Sequence, residues 1–155
     1  MDAARQLEQA YKEQRTAVYH LALAYMKNPA AAEDVMQEVF LSCYDLLRRG
    51  ESIRNLRGWL LTATRNRCLN ALRDGRPEEL TDDFTALIAP VSDPADRLAL
   101  RQALEGLTPE ERLAFTLHVI DGYKYREIAA GLDLPMGTVQ TRCRTAKRKL
   151  RAALA

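Results

Sequence analysis

Residues 122–150 read GYKYREIAAGLDLPMGTVQTRCRTAKRKL, two short helical patterns around a tight break. In the first, Ile128, Ala129 and Leu132 are apolar at helical spacing, and Ala129 is small enough to let a second helix cross closely. Asp133-Leu134-Pro135 interrupts that pattern, because proline cannot continue a helix and biases the residue before it towards extended backbone. From about Gly137 a second helix carries Val139, Cys143, Ala146 and Leu150 in one apolar stripe, the series expected of a 3.6-residue period. Its remaining surface carries Gln140, Thr141, Arg142, Arg144, Thr145, Lys147, Arg148, Lys149 and Arg151, and no acid follows Asp133. That is the pattern of a helix-turn-helix whose second helix enters the DNA major groove. A solvated basic C-terminal helix is the competing reading of the same residues.

The rest of the composition agrees with a helical protein. With 155 residues, 47% hydrophobic, the chain suits one or two small domains with packed cores. Aromatics make up only 6%, glycine and proline are sparse, and Ala, Leu, Arg and Glu dominate, which favours an all-α fold. The net charge of +2 conceals a segregation: residues 1–73 carry +3, residues 74–105 carry −5 and residues 106–155 carry +4. Two basic blocks around an acidic segment predict two polyanion-facing modules, residues 1–74 and 95–155, joined by an acidic linker at 75–94. No N-terminal run resembles a signal peptide and no apolar stretch approaches the ~20 residues of a membrane span, so a cytoplasmic protein without membrane insertion is expected. Cys43, Cys68 and Cys143 are far apart on apolar helix faces, and His20 and His118 stand apart from them. Buried free thiols are expected, with no metal site and no cofactor.

In the N-terminal block, Leu7, Tyr11, Val18, Leu21, Ala22 and Tyr25 mark a long amphipathic helix from about Ala3 to Lys27. Asn28-Pro29 closes it and starts the next. That second helix, to about Arg49, has a core stripe of Val35, Met36, Val39, Phe40, Cys43, Leu46 and Leu47. On its other side Asp34, Glu38, Leu41 and Asp45 lie within about 60° of one another, flanked by Glu33 and Gln37. Such a stripe is either solvated surface or a docking face for a basic partner helix. An arginine-rich loop, 48–58, leads to a third helix from about Leu56 to Arg73, with Leu60, Leu61, Thr64, Cys68, Ala71 and Leu72 as its core side. Opposite them Trp59, Ala63, Asn66, Asn70 and Arg73 align, flanked by Arg65 and Arg67. Indole stacking, amide contacts to base edges and guanidinium contacts to phosphate are what single-stranded nucleic acid requires. Trp59 equally fits an anchor for the small core.

The linker contains Gly75, Pro77, Pro90 and Pro94 with Glu78, Glu79, Asp82 and Asp83, a breaker-rich composition. Leu80, Phe84, Leu87 and Ile88 are too apolar for pure disorder, so part of it is expected to dock on something. Asp93-Pro94 forms an N-cap and first-turn pair for a helix through Leu104. Thr108-Pro109-Glu110-Glu111 is a capping box that opens a helix marked by Leu113, Phe115, Leu117 and Ile120 and ended by Asp121-Gly122.

Taken together, the two ends resemble an extracytoplasmic-function (ECF) sigma factor of bacterial RNA polymerase. The resemblance rests on Ala32-Glu33-Asp34-Val35-Met36-Gln37-Glu38-Val39-Phe40, on Gly58-Trp59-Leu60 through Ala63-Thr64-Arg65-Asn66, on Leu107-Thr108-Pro109-Glu110-Glu111-Arg112, on Tyr125-Arg126-Glu127-Ile128-Ala129 and on Pro135-Met136-Gly137-Thr138-Val139. It implies a three-helix region 2-like bundle and a four-helix region 4-like domain. It further implies that Asp34, Gln37, Glu38 and Leu41 dock on core RNA polymerase, at the clamp helices of its largest subunit. The loop containing Arg54 and Asn55 would capture a flipped base of the −10 element, and Trp59, Arg65, Asn66 and Asn70 would hold the melted strand. Thr138, Gln140, Thr141, Arg142, Arg144, Thr145, Lys147 and Arg148 would face the −35 element of promoter DNA. The polymerase flap and an anti-sigma factor are the other implied partners.

This chain departs from the family pattern in three places. A first short helix present in many relatives is expected to be absent, Asp133 stands where a turn glycine is usual, and Arg142-Cys143-Arg144-Thr145-Ala146 replaces the usual RLSRA. The last change moves an arginine about 100° around the helix, so the −35 sequence does not follow from the family.

Two other functions fit parts of the chain. A helix-turn-helix regulator of response-regulator type would use residues 1–73 as a dimerising or sensing bundle and bind duplex DNA tightly by itself. A nucleic-acid enzyme would need paired carboxylates beside a histidine or metal cluster, a glycine-rich phosphate loop or a Ser/His/Asp set, and the sequence offers none of these.

Overall fold

The computed structural model describes residues 2–81 and 85–155, and every regular element among them is a helix. α1 (Ala3–Met26) starts where the Asp2 carboxylate accepts from the Arg5 amide at 2.8 Å. It stops at Lys27, whose φ of 54° is left-handed. Asn28 then caps α2 (Pro29–Arg48) by accepting from the Ala31 amide at 2.9 Å, with Pro29 in the first turn where no N–H is needed. α3 (Leu56–Asp74) is capped by Asn55. Val18, Ala22 and Met26 of α1 pack with Val35, Met36, Val39 and Phe40 of α2 and with Leu60 and Cys68 of α3. Tyr11 meets the Phe40 ring edge-on at 5.1 Å. All three cysteines are buried free thiols, and burial pushes the Cys68 thiol up to about 12.

The linker does dock. The Thr81 amide donates to the Lys27 carbonyl at 2.7 Å, and the Asn28 side chain donates to the Glu79 carbonyl at 2.9 Å. A single turn, α4 (Thr85–Ile88), then inserts Ile88, 1% exposed, among Leu104, Leu107, Ala146 and Leu150. Asp82, Asp83 and Phe84 lie outside the described residues.

The C-terminal half contains α5 (Pro94–Glu105), α6 (Pro109–Phe115), α7 (Tyr125–Leu132) and α8 (Met136–Leu154). The Thr108–Glu111 capping box is formed in both directions, at 2.9 and 3.1 Å. Burial acts to raise the Glu111 carboxyl, but hydrogen bonds from Lys149 of α8 and from Thr108 outweigh it and hold the group below the usual carboxylate range. One expected element differs. After Phe115 the helix widens into a π-turn at Thr116–Ile120, so Ile120, read as part of the apolar stripe, is 50% exposed. Widening the turn breaks the 100° step on which the stripe was counted.

The two halves share a core. Ala17 and Leu21 of α1 and Leu61 of α3 pack with Leu117, Tyr123, Ile128, Ala129, Leu132 and Val139 of the C-terminal half. A close crossing is at Gly131 of α7, where a Cβ would stand 2.7 Å from the Leu61 Cβ, well inside the ~3.5–4.0 Å of favourable carbon contact. Gly131→Ala should therefore lower stability by about 1–3 kcal/mol through overpacking, against the roughly 0.5–1 kcal/mol gain of the same change in an unconstrained helix. A thermal melt decides by sign: a raised Tm would mean that α3 and α7 do not cross this closely.

Candidate nucleic-acid interface

Three faces bear the charged and aromatic side chains singled out by the sequence. On α2 the core stripe is buried, which turns Asp34, Gln37, Glu38 and Leu41 outward; all are exposed, Leu41 by 63%. An aliphatic side chain so exposed amid acids is not doing core work. Glu38 makes an ion pair with Arg67 of α3. Both partners are about half exposed, so the pair is worth little and a competing cation can displace it.

The second face starts in the loop between α2 and α3. Arg54 is exposed. Asn55 caps α3 by accepting from the Gly58 amide at 3.2 Å, and its amide N–H donates to Glu127 of α7 at 3.4 Å. Along α3, Trp59 is half-buried and packs against the first core, so the indole anchors the bundle while keeping part of its surface outside. Asn66 and Asn70 are exposed, with Asn70 accepting from Arg73. Arg65 is half-buried, and its Nε is buried without a hydrogen-bond partner among the described residues.

The third face belongs to α8. Asp133 adopts the left-handed conformation at φ 55° and closes α7, the geometry that Asp tolerates better than most residues. Val139, Cys143, Ala146 and Leu150 are buried, which leaves Gly137, Thr141, Arg144, Arg148 and Arg151 as the fully exposed stripe. Thr138, Gln140, Thr145 and Lys147 flank it, half-buried. Arg142 is turned furthest from it on one side and lines an apolar cleft of about 320 Å³ between α1, α6 and α7. Of the eight candidate residues of α8, Thr141, Arg144 and Arg148 are fully exposed, four flank them half-buried, and Arg142 turns towards the cleft.

Several polar and aromatic residues that tie α1 and α3 to the C-terminal half, or order that half itself, had no clear signal in the sequence. The Arg57 guanidinium donates to the Gly122 carbonyl at 2.9 Å and lies over the Tyr123 ring at 4.5 Å. Tyr123 is fully buried, and its hydroxyl donates to Gln14 of α1 at 2.6 Å. His20 and Asp121 are hydrogen-bonded at 2.9 Å, both side chains 6% exposed. His118 stacks on Tyr125 at 3.9 Å between centroids. These pairs join positions up to 109 residues apart, beyond the reach of any periodicity. A lone histidine in the sequence thus becomes half of a buried pair.

Burial pushes the Tyr123 phenol up from 10.0 to about 12, against the opposing pull of Arg57. The folded chain favours the neutral phenol, so its contribution is complete below pH 10 and is lost as pH rises towards 12. Tyr123→Phe leaves the buried Gln14 carbonyl unpartnered and should cost about 1–3 kcal/mol at neutral pH. Urea titrations between pH 7 and 12 should also show a shallower alkaline loss of stability in the variant. Parallel curves for the two proteins would remove Tyr123 from the account.

Residues 10–78 match the model of the family described as "Sigma-70 region 2", and residues 97–150 match "Sigma-70, region 4". The chain is 33% identical to the probable ECF RNA polymerase sigma factor SigI of Mycobacterium tuberculosis, covering 91% of this chain and 53% of SigI. It is 30% identical to SigL of the same species, covering 93% and 86%, and 31% identical to the RNA polymerase sigma factor CarQ of Myxococcus xanthus, covering 83% and 78%. The chain thus spans about half the length of SigI and most of the length of SigL. The same fold is seen in sigma factor RpoE solved with the anti-sigma factor NepR from Bartonella quintana (TM-score 0.63, 21% identity, 97% of both chains). It recurs in CnrH solved with the cytosolic domain of CnrY (TM-score 0.60, 23% identity, 97% of this chain and 88% of CnrH). The order of the two regions and the shared identity along nearly the whole chain establish that the protein belongs to the ECF family of RNA polymerase sigma factors.

Proposed function

We propose that the chain is a promoter-specificity subunit of bacterial RNA polymerase, acting in the cytoplasm and performing no covalent chemistry of its own. The observation that carries this reading is a division of labour on helices already committed to a core. α2 turns Asp34, Glu38 and Leu41 outward, and α8 turns Thr141, Arg144 and Arg148 outward. The first face suits a basic helix of core RNA polymerase, and the second suits the major groove. In this reading residues 1–74 bind core polymerase and the −10 element, residues 75–94 link, and residues 95–155 bind the −35 element and the polymerase flap. An anti-sigma factor that covers these faces would hold the chain inactive; the similar sigma factor RpoE is solved in complex with the anti-sigma factor NepR.

The reading has a geometric consequence. Elements centred 25 base pairs apart are separated by roughly 85 Å of B-form DNA, whereas a compact chain of this length has a radius of gyration of about 15 Å. With α3 seated on α7, one chain cannot span both. Engagement of polymerase must therefore part Leu61 from Gly131 and free Arg57 from Gly122, leaving the linker extended.

Run-off transcription with core polymerase on a promoter library tests the function: open complexes should require both the chain and paired −35 and −10 sequences. Tight, specific duplex binding by the chain alone would favour the helix-turn-helix regulator of response-regulator type instead. Glu38→Lys should weaken core binding about tenfold or more, about 1.4 kcal/mol per decade, with helix content unchanged because the side chain is exposed. Unaltered core affinity would reject the α2 docking face. Arg144→Ala should cost about 1–3 kcal/mol and relax discrimination at a single −35 base pair if it reads a guanine. A uniform loss over all sequences would mark it as a phosphate contact.

A further inference from the structure

Arg67 flanks the strand-facing side of α3, but in the folded chain its guanidinium is ion-paired with Glu38 of α2. Glu38 belongs to the face proposed to dock on polymerase. Among the described residues this is the ion pair that joins the two helices. The backbone beneath it is fixed, because Val39 and Cys68, the next residues in sequence, are buried in the core that α2 and α3 share. The paired side chains themselves are about half exposed, so water and salt compete for both and either partner is readily exchanged. Glu38 lies about 40° around α2 from Asp34, and Arg67 about 60° around α3 from Asn70. The pair therefore sits where the two faces meet.

The other arginines of α3 have different commitments. Arg57 donates to the Gly122 carbonyl, Arg73 donates to Asn70, and Arg65 is half-buried. Arg67 is the exposed α3 guanidinium held by a carboxylate, with Asp74 attracting it more weakly. In that state its charge is neutralised locally, and Glu38 repels an approaching phosphate. A basic helix docking on Glu38 changes both terms. It takes over the carboxylate and sets free a guanidinium, the group that binds phosphate through charge-assisted hydrogen bonds.

We propose that Glu38 and Arg67 form an exchange switch, in which core RNA polymerase takes Glu38 and releases Arg67 to hold a phosphate of the melted strand. Arg67 is then a strand-positioning residue that becomes fully available in holoenzyme. The inference rests on the α2 docking face and the α3 strand face proposed above. It goes beyond them by making the two binding events cooperative: each partner has to break the pair, but together they break it once. By linkage each partner gains the same factor from the other, and the factor is that of an exposed pair, about two- to fivefold.

The test compares the full-length wild type with Arg67→Ala, Glu38→Gln, the double variant and Glu38→Lys, each checked for helix content by circular dichroism. Affinity for core polymerase is measured at low salt, where screening is least, and each holoenzyme is then titrated with a premelted −10 promoter fork. Arg67→Ala should bind core about two- to fivefold more tightly than wild type, because nothing competes for Glu38. In the Glu38→Gln background the same change should leave core affinity unaltered. Holoenzyme with Arg67→Ala should bind the fork more weakly for all sequences alike. Its logarithmic salt slope should be shallower by about 0.7, the value of one single-strand phosphate. Unchanged or weaker core binding by Arg67→Ala, with Glu38→Lys still impaired, overturns the exchange and leaves the docking face standing. An equal gain in the Glu38→Gln background marks a general charge effect and overturns it too. Unchanged fork binding overturns the role of Arg67 on the strand. If Glu38→Lys also leaves core affinity unaltered, the docking face fails and the proposal with it.

Discussion

Leu61 against Gly131 is the contact on which the arrangement of the two halves depends. Because residue 131 has no side chain, α7 approaches α3 closely enough for Leu61 to sit in a core with Leu117, Tyr123 and Ile128 instead of facing water. Burying side chains of this size is worth about 1.5–3 kcal/mol each. The apolar seam therefore supplies the attraction, and the polar residues around it choose the alignment. Arg57, Asn55, Gln14 and His20 each find a partner on the C-terminal half only in this register. Shifted by one turn, several buried polar groups would be left unpaired, at a cost comparable to the attraction itself.

Two of the residues in that seam, Asn55 and Arg57, belong to the loop proposed to hold promoter DNA. The same side chains cannot serve the protein's own C-terminal half and a nucleic acid at once. Regulation of such a protein can then act on one equilibrium, between a closed chain whose loop is occupied internally and an open chain whose two readers are far apart. A partner that binds one form better shifts the balance by its difference in affinity for the two. The apolar cleft and the exposed acidic face of α2 offer places where that difference could arise.

The local elements were legible because they depend on nearest-neighbour chemistry. Asn28-Pro29, Asp93-Pro94 and Thr108–Glu111 are start signals completed within three residues, and each starts a helix in the structure. The stripes of α2, α3 and α8 follow from a fixed 100° step, so the buried and exposed faces could be counted. Ile120 is where counting failed, since a π-turn changes the step and nothing in Thr116–Ile120 announces it. The candidate face of α8 was only partly legible: composition marked eight polar residues, but neighbouring helices decide that Thr141, Arg144 and Arg148 are the fully exposed ones while Arg142 turns towards the cleft.

By itself the sequence determined an all-helical chain of two charged modules, the faces that each helix buries, the caps that start them and the family to which their motifs point. These are properties of short stretches, governed by backbone sterics and helical periodicity. Tertiary structure alone decided that the modules share a core, that His20 finds Asp121 and Tyr123 finds Gln14, and that the first turns of α1 face the α2–α3 loop across a polar groove. Contacts between positions a hundred residues apart depend on how closely helices approach and on which buried polar groups can be satisfied together, and neither quantity has a period along the chain.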